Sequence, residues 1–533
     1  MQIEFDLGNP RFTLLHRAGL AGLWMTLKQL DAEKVKAPEG LTWQLTNRNV
    51  KLLWEGHDQK ILEWLLTESF QLHDGLISLR GLNAKTMRRD SLAIVHQGIL
   101  GTFLQHNSTH KSLGVRTETL QLGENEKEIQ VTYKELFSYA YQAFARNLCD
   151  ERGKLLVQPI SIAGWLNPGA AVRHVAFSTD TSFKEPPECA LMLLFAPVAC
   201  YYYILRSKLR DKRAQYALVI PEIINLEKFA QYKQDVHGRL ATYQDFYASG
   251  LGDAGLRFLT YETTAGIASD VRVPRCQVVT LGTVAWSTQQ KTRTDLYVVE
   301  ADAQVYHNYQ ICRNELGNRS LPGKNGSAFV ITSFARELIA ENLARGQAWY
   351  AGFADKVNSN DLFEKLRYER GGLYQMIQKA EWDEEREKLF VQACHQAIRY
   401  TYGQLSKNTK SGEQPNWEKV SNRMRSGLGR CKNASSFREF ITKFWANAGR
   451  IPTLQEHWQD LMDLVMDERQ WKKGRDLALL ALASYKGQGT NTTDSDAELN
   501  NQDEVEDASS EEEGTGLPWM YSNCQGGYGI NCK

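Results

Sequence analysis

The stretch SFREFITKFWANAG, residues 436–449, places Phe437, Phe440, Ile441, Phe444 and Ala448 at i, i+3, i+4, i+7 and i+11. That spacing is one face of a 3.6-residue period and predicts an amphipathic helix, stopped by Gly449 and Pro452. Thr453 with Glu456 three residues on has the form of a capping box, opening a second helix whose stripe is Leu454, Trp458, Leu461 and Val465. Related patterns run from Asp361 to Lys486, and short turns between such helices force an antiparallel bundle. The expected fold class is therefore α+β: a mixed α/β N-terminal body (residues 1–150), a strand-rich continuation of it (151–328), a C-terminal α-helical bundle (329–486) and a disordered acidic tail (487–533).

The polar side of the bundle is one-signed. Between Arg399 and Arg450 eleven Lys or Arg stand against three Glu, a net charge of +8. On the helix with apolar stripe Trp417, Val420, Met424 and Leu428, the residues Lys419, Arg423 and Arg430 form a second stripe, and Lys443 extends the excess. Like charges one helical turn apart repel, so such a stripe is best explained by an anion that neutralises it, nucleic acid foremost. A solvated basic face without a partner is the plainer alternative.

Length and charge agree with this division. The chain has 533 residues, too many for one ordinary core. Its formal charge of zero hides a split, because ten acidic residues and one basic residue lie beyond Gly487, leaving 62 basic and 53 acidic groups, a net of +9, in the first 486. The folded part is a plausible binder of polyanions. Nine cysteines are scattered with no Cys-x-x-Cys pair and no Cys/His group at zinc spacing, which reads as a reducing, cytoplasmic interior. The N-terminus lacks the basic flank and apolar run of a signal peptide. Cys189–Leu205 is an apolar run of 17 residues, short for a membrane span and interrupted by Pro197. Buried strands are the better reading, and no membrane association is expected.

In chain order, Gln2–Asp6 alternates like a strand, and the segment from Pro10 reads as a helix burying Leu14, Leu15, Ala18, Leu23 and Leu27. Leu41–Leu66 mixes strand and helix. Arg80–Arg116 holds Arg80, Lys85, Arg88, Arg89, Lys111 and Arg116 against Asp90 alone, interleaved with Asn83, Gln97, Gln105 and Asn107. As a loop, this is the composition of a surface where cations grip backbone and amides sample a groove; it is equally an ordinary polar connection. Val131–Cys149 reads as a helix (Tyr133, Leu136, Tyr139, Tyr141, Phe144), and Leu155–Tyr309 as strand-rich. Within it RSKLRDKRAQY joins two apolar strands and carries Arg206, Lys208, Arg210, Lys212 and Arg213 against Asp211, either a phosphate clamp or an edge kept soluble. Gln289–Arg293, with Lys291 and Arg293, forms a third basic tip between Val278–Trp286 and Asp295–Val299. Phe329–Phe353 reads as a helix leading into the bundle. The acidic tail finishes in LPWMYSNCQGGYGINC, and either docks on a partner, masks the basic faces or has no role.

The stretch PRFTLLHRAGLAGLWMTL (10–27) resembles the start of the Myxan-subtype, DevT-like branch of the Cas-eight family, the large subunits of type I Cascade surveillance complexes of CRISPR systems. GWLNPGAAVRH (164–174), APVACYYYILR with ALVIPE (196–222) and LGTVAWSTQQKTR (281–293) are similar to internal blocks of that family. The resemblance covers roughly Met1 to Arg345. It implies a non-catalytic, cytoplasmic prokaryotic subunit with no cofactor, partnered by guide RNA, target double-stranded DNA and the backbone, guide-end and small subunits of Cascade. A helicase-nuclease, or a transposition-recruiting protein in transposon-linked systems, would act after it. The N-terminal body, with Asn83, Lys85, Arg88, Arg89, Lys111 and Arg116, would approach duplex beside the target and inspect the protospacer-adjacent motif. The Arg206–Arg213 and Lys291/Arg293 tips would hold nucleic-acid backbone. The bundle, with Lys419, Arg423, Arg430 and Lys443, would line the displaced strand of the R-loop. In some related subtypes the small subunit arises by internal initiation, and Met376 lies near the start of the bundle.

The rival class is a metal-dependent nuclease of the HD type, built on His57-Asp58 or His73-Asp74. Such a site also needs a further His and a distant Asp, which the sequence does not single out. There is no P-loop, no Gly-x-Ser-x-Gly and no His-Glu-x-x-His.

Overall fold

The computed structural model describes residues 1–83, 87–121, 128–162, 164–168, 183–206, 214–239, 243–264, 275–286, 289–322, 328–408 and 417–486. It is a mixed α/β body followed by a helical bundle, and the tail lies outside the described residues. The body is organised on one helix. After strand β1 (Gln2–Asp6), α1 (Leu14–Ala32) begins at Thr13, which shares reciprocal capping bonds with His16. Fourteen of its residues are buried, because small residues let the chain approach on several sides. A Cβ on Gly19 would lie 2.4 Å from the Met192 carbonyl oxygen, and one on Gly22 only 2.0 Å from that of Phe195.

Around α1 stand β2 (Thr42–Leu45) and β3 (Asn49–Leu53), which form the antiparallel sheet β1-β3-β2, then α2 (Asp58–Ser69) and the hairpin of β4 (Phe70–His73) and β5 (Leu76–Leu79). Asp74 and Gly75 at its turn both have positive φ, 49° and 76°, the Asp-Gly geometry that matches strand twist in two-residue hairpins. The segment expected as a basic loop is instead largely helix α3 (Arg89–Gly101), buried on two sides, by Val95 and Ile99 against the main core and by Leu92 and Ile94 against a smaller one, and followed by the long hairpin β6 (His110–Gln121) and β7 (Glu128–Tyr139). Val131–Cys149 is thus not the helix expected. Val131, Tyr133, Leu136 and Tyr139 are buried on a pleated strand, and helix is confined to a 3-10 turn at Ala140–Ala143 and the short α4 (Ala145–Leu148). Aromatic and β-branched residues at near-alternate positions favoured the strand over the helical spacing.

Short strands β8 (Ile160–Ser161) and β9 (Lys184–Glu185) lead to α5 (Pro187–Leu193), α6 (Ala196–Ala199) and β10 (Tyr201–Leu205). The apolar run Cys189–Leu205 is therefore two helical turns and one strand, not buried strands throughout; Pro187 and Pro197 each sit in a first helical turn, where a missing N–H costs nothing. Next come β11 (Ala214–Pro221), α7 (Leu226–Arg239), β12 (Tyr247–Ala248), α8 (Leu251–Thr264), β13 (Arg275–Trp286) and β14 (Gln289–Glu300), and the second sheet has the order β12-β10-β11-β13-β14. The region expected to be strand-rich is thus mixed. Gln289–Arg293 is no tip: it pairs residue by residue with Gly282–Trp286 inside the β13–β14 hairpin.

After α9 (Ala303–Glu315) and the hairpin β15 (Arg319–Pro322) and β16 (Ala328–Ile331), α10 (Phe334–Leu343) carries a buried ionic knot. Arg336 meets Asp253 at 3.2 Å with both side chains fully buried, and also donates to the Leu316 carbonyl at 2.7 Å. Asp253 accepts from Tyr309 Oη at 2.6 Å and from Ser249 N at 2.8 Å, with Arg257 at 3.6 Å. Phe329–Phe353 is accordingly a strand end, one helix and a turn, not a single helix.

The bundle comprises α11 (Phe353–Lys356), α12 (Asn360–Tyr368), α13 (Arg370–Lys379), α14 (Glu385–Asn408), α15 (Trp417–Arg430), α16 (Ala434–Ala448), α17 (Pro452–Glu456), α18 (Trp458–Met466) and α19 (Trp471–Ser484). Phe390, Phe437, Ile441, Leu461, Leu464 and Leu477 fill its core. The 436–449 helix forms as expected, capped by Asn433 in a reciprocal pair with Ser436. The Thr453/Glu456 box does not form: Thr453 is engaged by Gln396 instead, and the helix breaks at His457 into two. Two carboxylates tie segments together, Glu369 across body and bundle and Asp476 at the start of the bundle itself. Glu369 accepts from Ser333 Oγ and the amides of Phe334 and Ala335 at the start of α10, and Asp476 accepts from the amides of Gly352 and Ala354.

Candidate nucleic-acid interface

The N-terminal cations are mostly tied down by acids from other elements. Arg80 is buried, with Glu33 at 2.5 Å and Glu68 at 2.6 Å. Arg88 pairs with Asp90, although its side chain stays half exposed. Arg89 meets Glu118 at 3.1 Å, Asp74 at 3.3 Å and Tyr133 Oη at 3.1 Å, and Arg116 lies 3.9 Å from Glu135. Gln97 and Gln105 each donate to a backbone carbonyl, of Thr132 and Gly101. Asn83 ends the turn after β5 in a left-handed conformation, φ 50°. Lys111 is exposed on β6, and Lys85 lies outside the described residues.

The β6–β7 hairpin that bears Lys111 and Arg116 is fixed to α3 through His96. Ile77 N donates to His96 Nδ1 at 3.0 Å, so Nε2 holds the proton and donates to the Lys134 carbonyl at 2.8 Å. Burial pushes this imidazole down to about 4, so it stays neutral. Sequence reasoning missed what the hairpin displays: Leu113 and Phe137 are 66% and 68% exposed, each beside an irregularity of register that turns it outward. Bulges leave no clear trace in residue type.

Arg206 ends β10 with its guanidinium 5.4 Å from the Tyr247 ring centre. Lys208, Arg210, Lys212 and Arg213 lie outside the described residues. Lys291 and Arg293 occupy β14, the edge strand of the five-stranded sheet, opposite Val284 and Gly282. That position suits an edge protected from pairing as well as a backbone grip.

On the bundle the basic stripe is realised. Lys419, Arg423 and Arg430 are exposed along α15, while Ser421 and Leu428 face the core. No ion pair is formed by Arg423 or Arg430 among the described residues. Arg425, one face round, is drawn back to Asn360 and the Phe363 ring. Lys443 pairs with Glu439 at 2.6 Å on α16, which lessens its pull on an external anion. At the start of α15 a row of rings adjoins the stripe: Trp417 on Tyr402 at 5.1 Å, Tyr402 on Tyr485 at 5.5 Å, and Tyr485 on His395 at 6.0 Å. Acidic residues gather elsewhere on the bundle, where Glu456, Asp460, Asp463, Asp467 and Glu468 are exposed on α17, α18 and the turn after them, with Arg469 and Lys472 beside them and Asp463 paired to Arg386.

The two His-Asp pairs have structural work. Asp58 is buried and accepts from Trp54 Nε1 at 2.9 Å and Leu155 N at 3.0 Å; burial raises its carboxyl, but these donors outweigh that and leave it below the usual range. His57 lies against Gly153, where a Cβ would be 1.9 Å from its ring. His73 and Asp74 flank the β4–β5 turn, 4.0 Å apart and exposed, with Asp74 paired to Arg89. Among the described residues no group of three or more His, Cys, Asp or Glu is placed to hold a metal ion, and no helix is long and apolar enough to cross a membrane.

Residues 4–194 match the DevT N-terminal domain, and residues 378–512 match the DevT C-terminal domain. Over its length the chain is similar to the CRISPR-associated protein Cas8a1/Csx13 of Myxococcus xanthus (strain DK1622), with 28% identity over 546 residues that cover 95% of this chain and 92% of the relative.

Proposed function

The chain belongs to the DevT-like, Myxan-subtype branch of the Cas-eight large subunits, and we propose that it serves as the large subunit of a type I CRISPR Cascade complex, a binding subunit and not a catalyst. In such a complex guide pairing reads the target sequence, while protein reads a short flanking motif and stabilises separated strands. The body would meet duplex DNA beside the target through the α3 and β6–β7 region, with the exposed Arg88 and Lys111 and with Asn83 and Lys85 of the same segment. Arg89 and Arg116 would reach phosphate only by opening their ion pairs, and otherwise position the hairpin. The Arg206–Arg213 connection, Lys291 and Arg293 would contact guide or target backbone, and α15 the displaced strand. The recruited effector is a helicase-nuclease or a transposition-recruiting protein.

The observation that carries this reading is the exposed stripe of α15 within a chain that matches the Myxococcus protein along 95% of its length. The test is a pull-down of the tagged protein from its native operon, with and without nuclease. Repeat-type RNA and companion subunits recovered together are the expected result. Protein recovered alone and free of nucleic acid would overturn it.

A further inference from the structure

We propose that the acidic segment Asp494–Glu513 of this chain docks on the basic stripe of α15 and occupies it until nucleic acid displaces it, an inference that rests on the nucleic-acid reading of that stripe. Charge is the first ground. Ten carboxylates lie between Asp494 and Glu513 with no cation among them, and the exposed cations Arg423 and Arg430 have no ion-pair partner among the described residues.

Placement is the second ground. Tyr485, one residue beyond α19, packs on Tyr402, which packs on Trp417, the first residue of α15. The chain thus leaves the bundle at one end of the stripe. Seven uncharged residues, Gly487–Thr493, separate that exit from the first carboxylate. Extended, they reach about 23 Å, and a helix of 14 residues such as α15 is about 21 Å long. Every part of the stripe is within reach. Charge favours this face over α17–α18, where the exposed Glu456, Asp460, Asp467 and Glu468 would repel the segment. A tether this short holds its cargo at millimolar effective concentration, enough for a weak electrostatic contact to be largely occupied.

The test couples carboxylates to amines with a zero-length carbodiimide in the full chain, maps the links by mass spectrometry, and repeats the reaction with oligothymidylate present. Links from Asp494–Glu513 to Lys419, Lys432 or Lys407, lost on adding oligothymidylate, are expected. In parallel, a full-length variant with the ten carboxylates changed to amides should bind labelled oligothymidylate about tenfold more tightly at low salt, the gain shrinking as salt rises. Absence of links to all three of these lysines, or equal measurable affinity of the two proteins at every salt concentration, overturns the proposal. Links that persist while neither protein binds oligothymidylate would leave the contact standing and sink the nucleic-acid reading of the stripe instead.

Discussion

Replacing Arg423 and Arg430 together by glutamine tests the bundle as a nucleic-acid surface. Both side chains are exposed on α15, seven residues and hence two turns apart on one face. Glutamine has nearly the helix propensity of arginine, and neither side chain is buried, so the fold should not respond. Each phosphate contact to a single strand contributes about 0.7 to the slope of log affinity against log salt, so two contacts contribute about 1.4. Between about 1 M salt, where the contribution vanishes, and 0.1 M, that slope makes the variant about 25-fold weaker. The assay is fluorescence anisotropy with labelled oligothymidylate across a salt series, in the background with an amidated tail so that no internal competitor is present. The expected result is two lines that converge at high salt. Parallel lines, with the same slope and a constant offset, would refute the reasoning, because a loss that ignores salt is not a loss of phosphate contacts.

Other perturbations address the frame. Arg336→Met strands the Asp253 carboxylate with Arg257 at 3.6 Å, and should cost about 3–5 kcal/mol in urea denaturation; adding Asp253→Asn should recover part of that, and a single-variant loss under about 1 kcal/mol would mean that water reaches the site. Asp476 is pushed up to about 6 by burial. Its folded value exceeds its unfolded one, so stability is complete below about pH 4 and falls by about 3 kcal/mol as pH rises through 6; thermal unfolding should show this decline, flattened in Asp476→Asn, and equal slopes would count against it. Gly22→Ala drives a Cβ to 2.0 Å from the Phe195 oxygen and should cost about 1–3 kcal/mol or more, whereas Gly403→Ala, with nothing within 4 Å, should be neutral or stabilising. His57→Ala and His73→Ala should leave metal content unchanged while Asp58→Ala loses about 2 kcal/mol of stability; metal bound by the native protein and lost in either histidine variant would revive the nuclease class.

Where periodicity was strong, the fold was legible. The helix at 436–449 and the strand Gln2–Asp6 form where the apolar pattern put them, and the helix expected from Pro10 forms but starts one turn later, at Leu14. Misreadings came where two periods fit the same residues. Tyr133 and Leu136 satisfy a helical spacing, and Val131 and Tyr133 satisfy alternation; the pairing of Arg116 with Tyr133 and Glu118 with Val131 across the hairpin decided for strand. In Cys189–Leu205 every residue is apolar, so no period exists to read. What makes it helical is contact with Gly19 and Gly22 of α1, more than 160 residues away in sequence.

The basic clusters separate for a similar reason, and the separation indicates which to pursue. Arg80–Arg116 contains one acid, Asp90, yet the fold brings Glu33, Glu68, Asp74, Glu118 and Glu135 to its arginines. A local charge count fails there because the end of α1, α2, the β4–β5 turn and the β6–β7 hairpin bring acids from distant parts of the chain to these arginines, although Arg88 and Arg116 themselves stay about half exposed. On α15 the count survives. Its core-facing side is spent on Ser421 and Leu428, and its other side meets no neighbouring element that could supply an acid to Arg423 or Arg430 among the described residues. A cation on such a peripheral face costs little to leave in water, and stays available for whatever anion arrives. Charge read from sequence is thus informative about binding where a helix lies at the rim, and must be discounted where acids from distant elements reach the same residues. By that criterion α15 outranks the N-terminal cluster as the first surface to mutate.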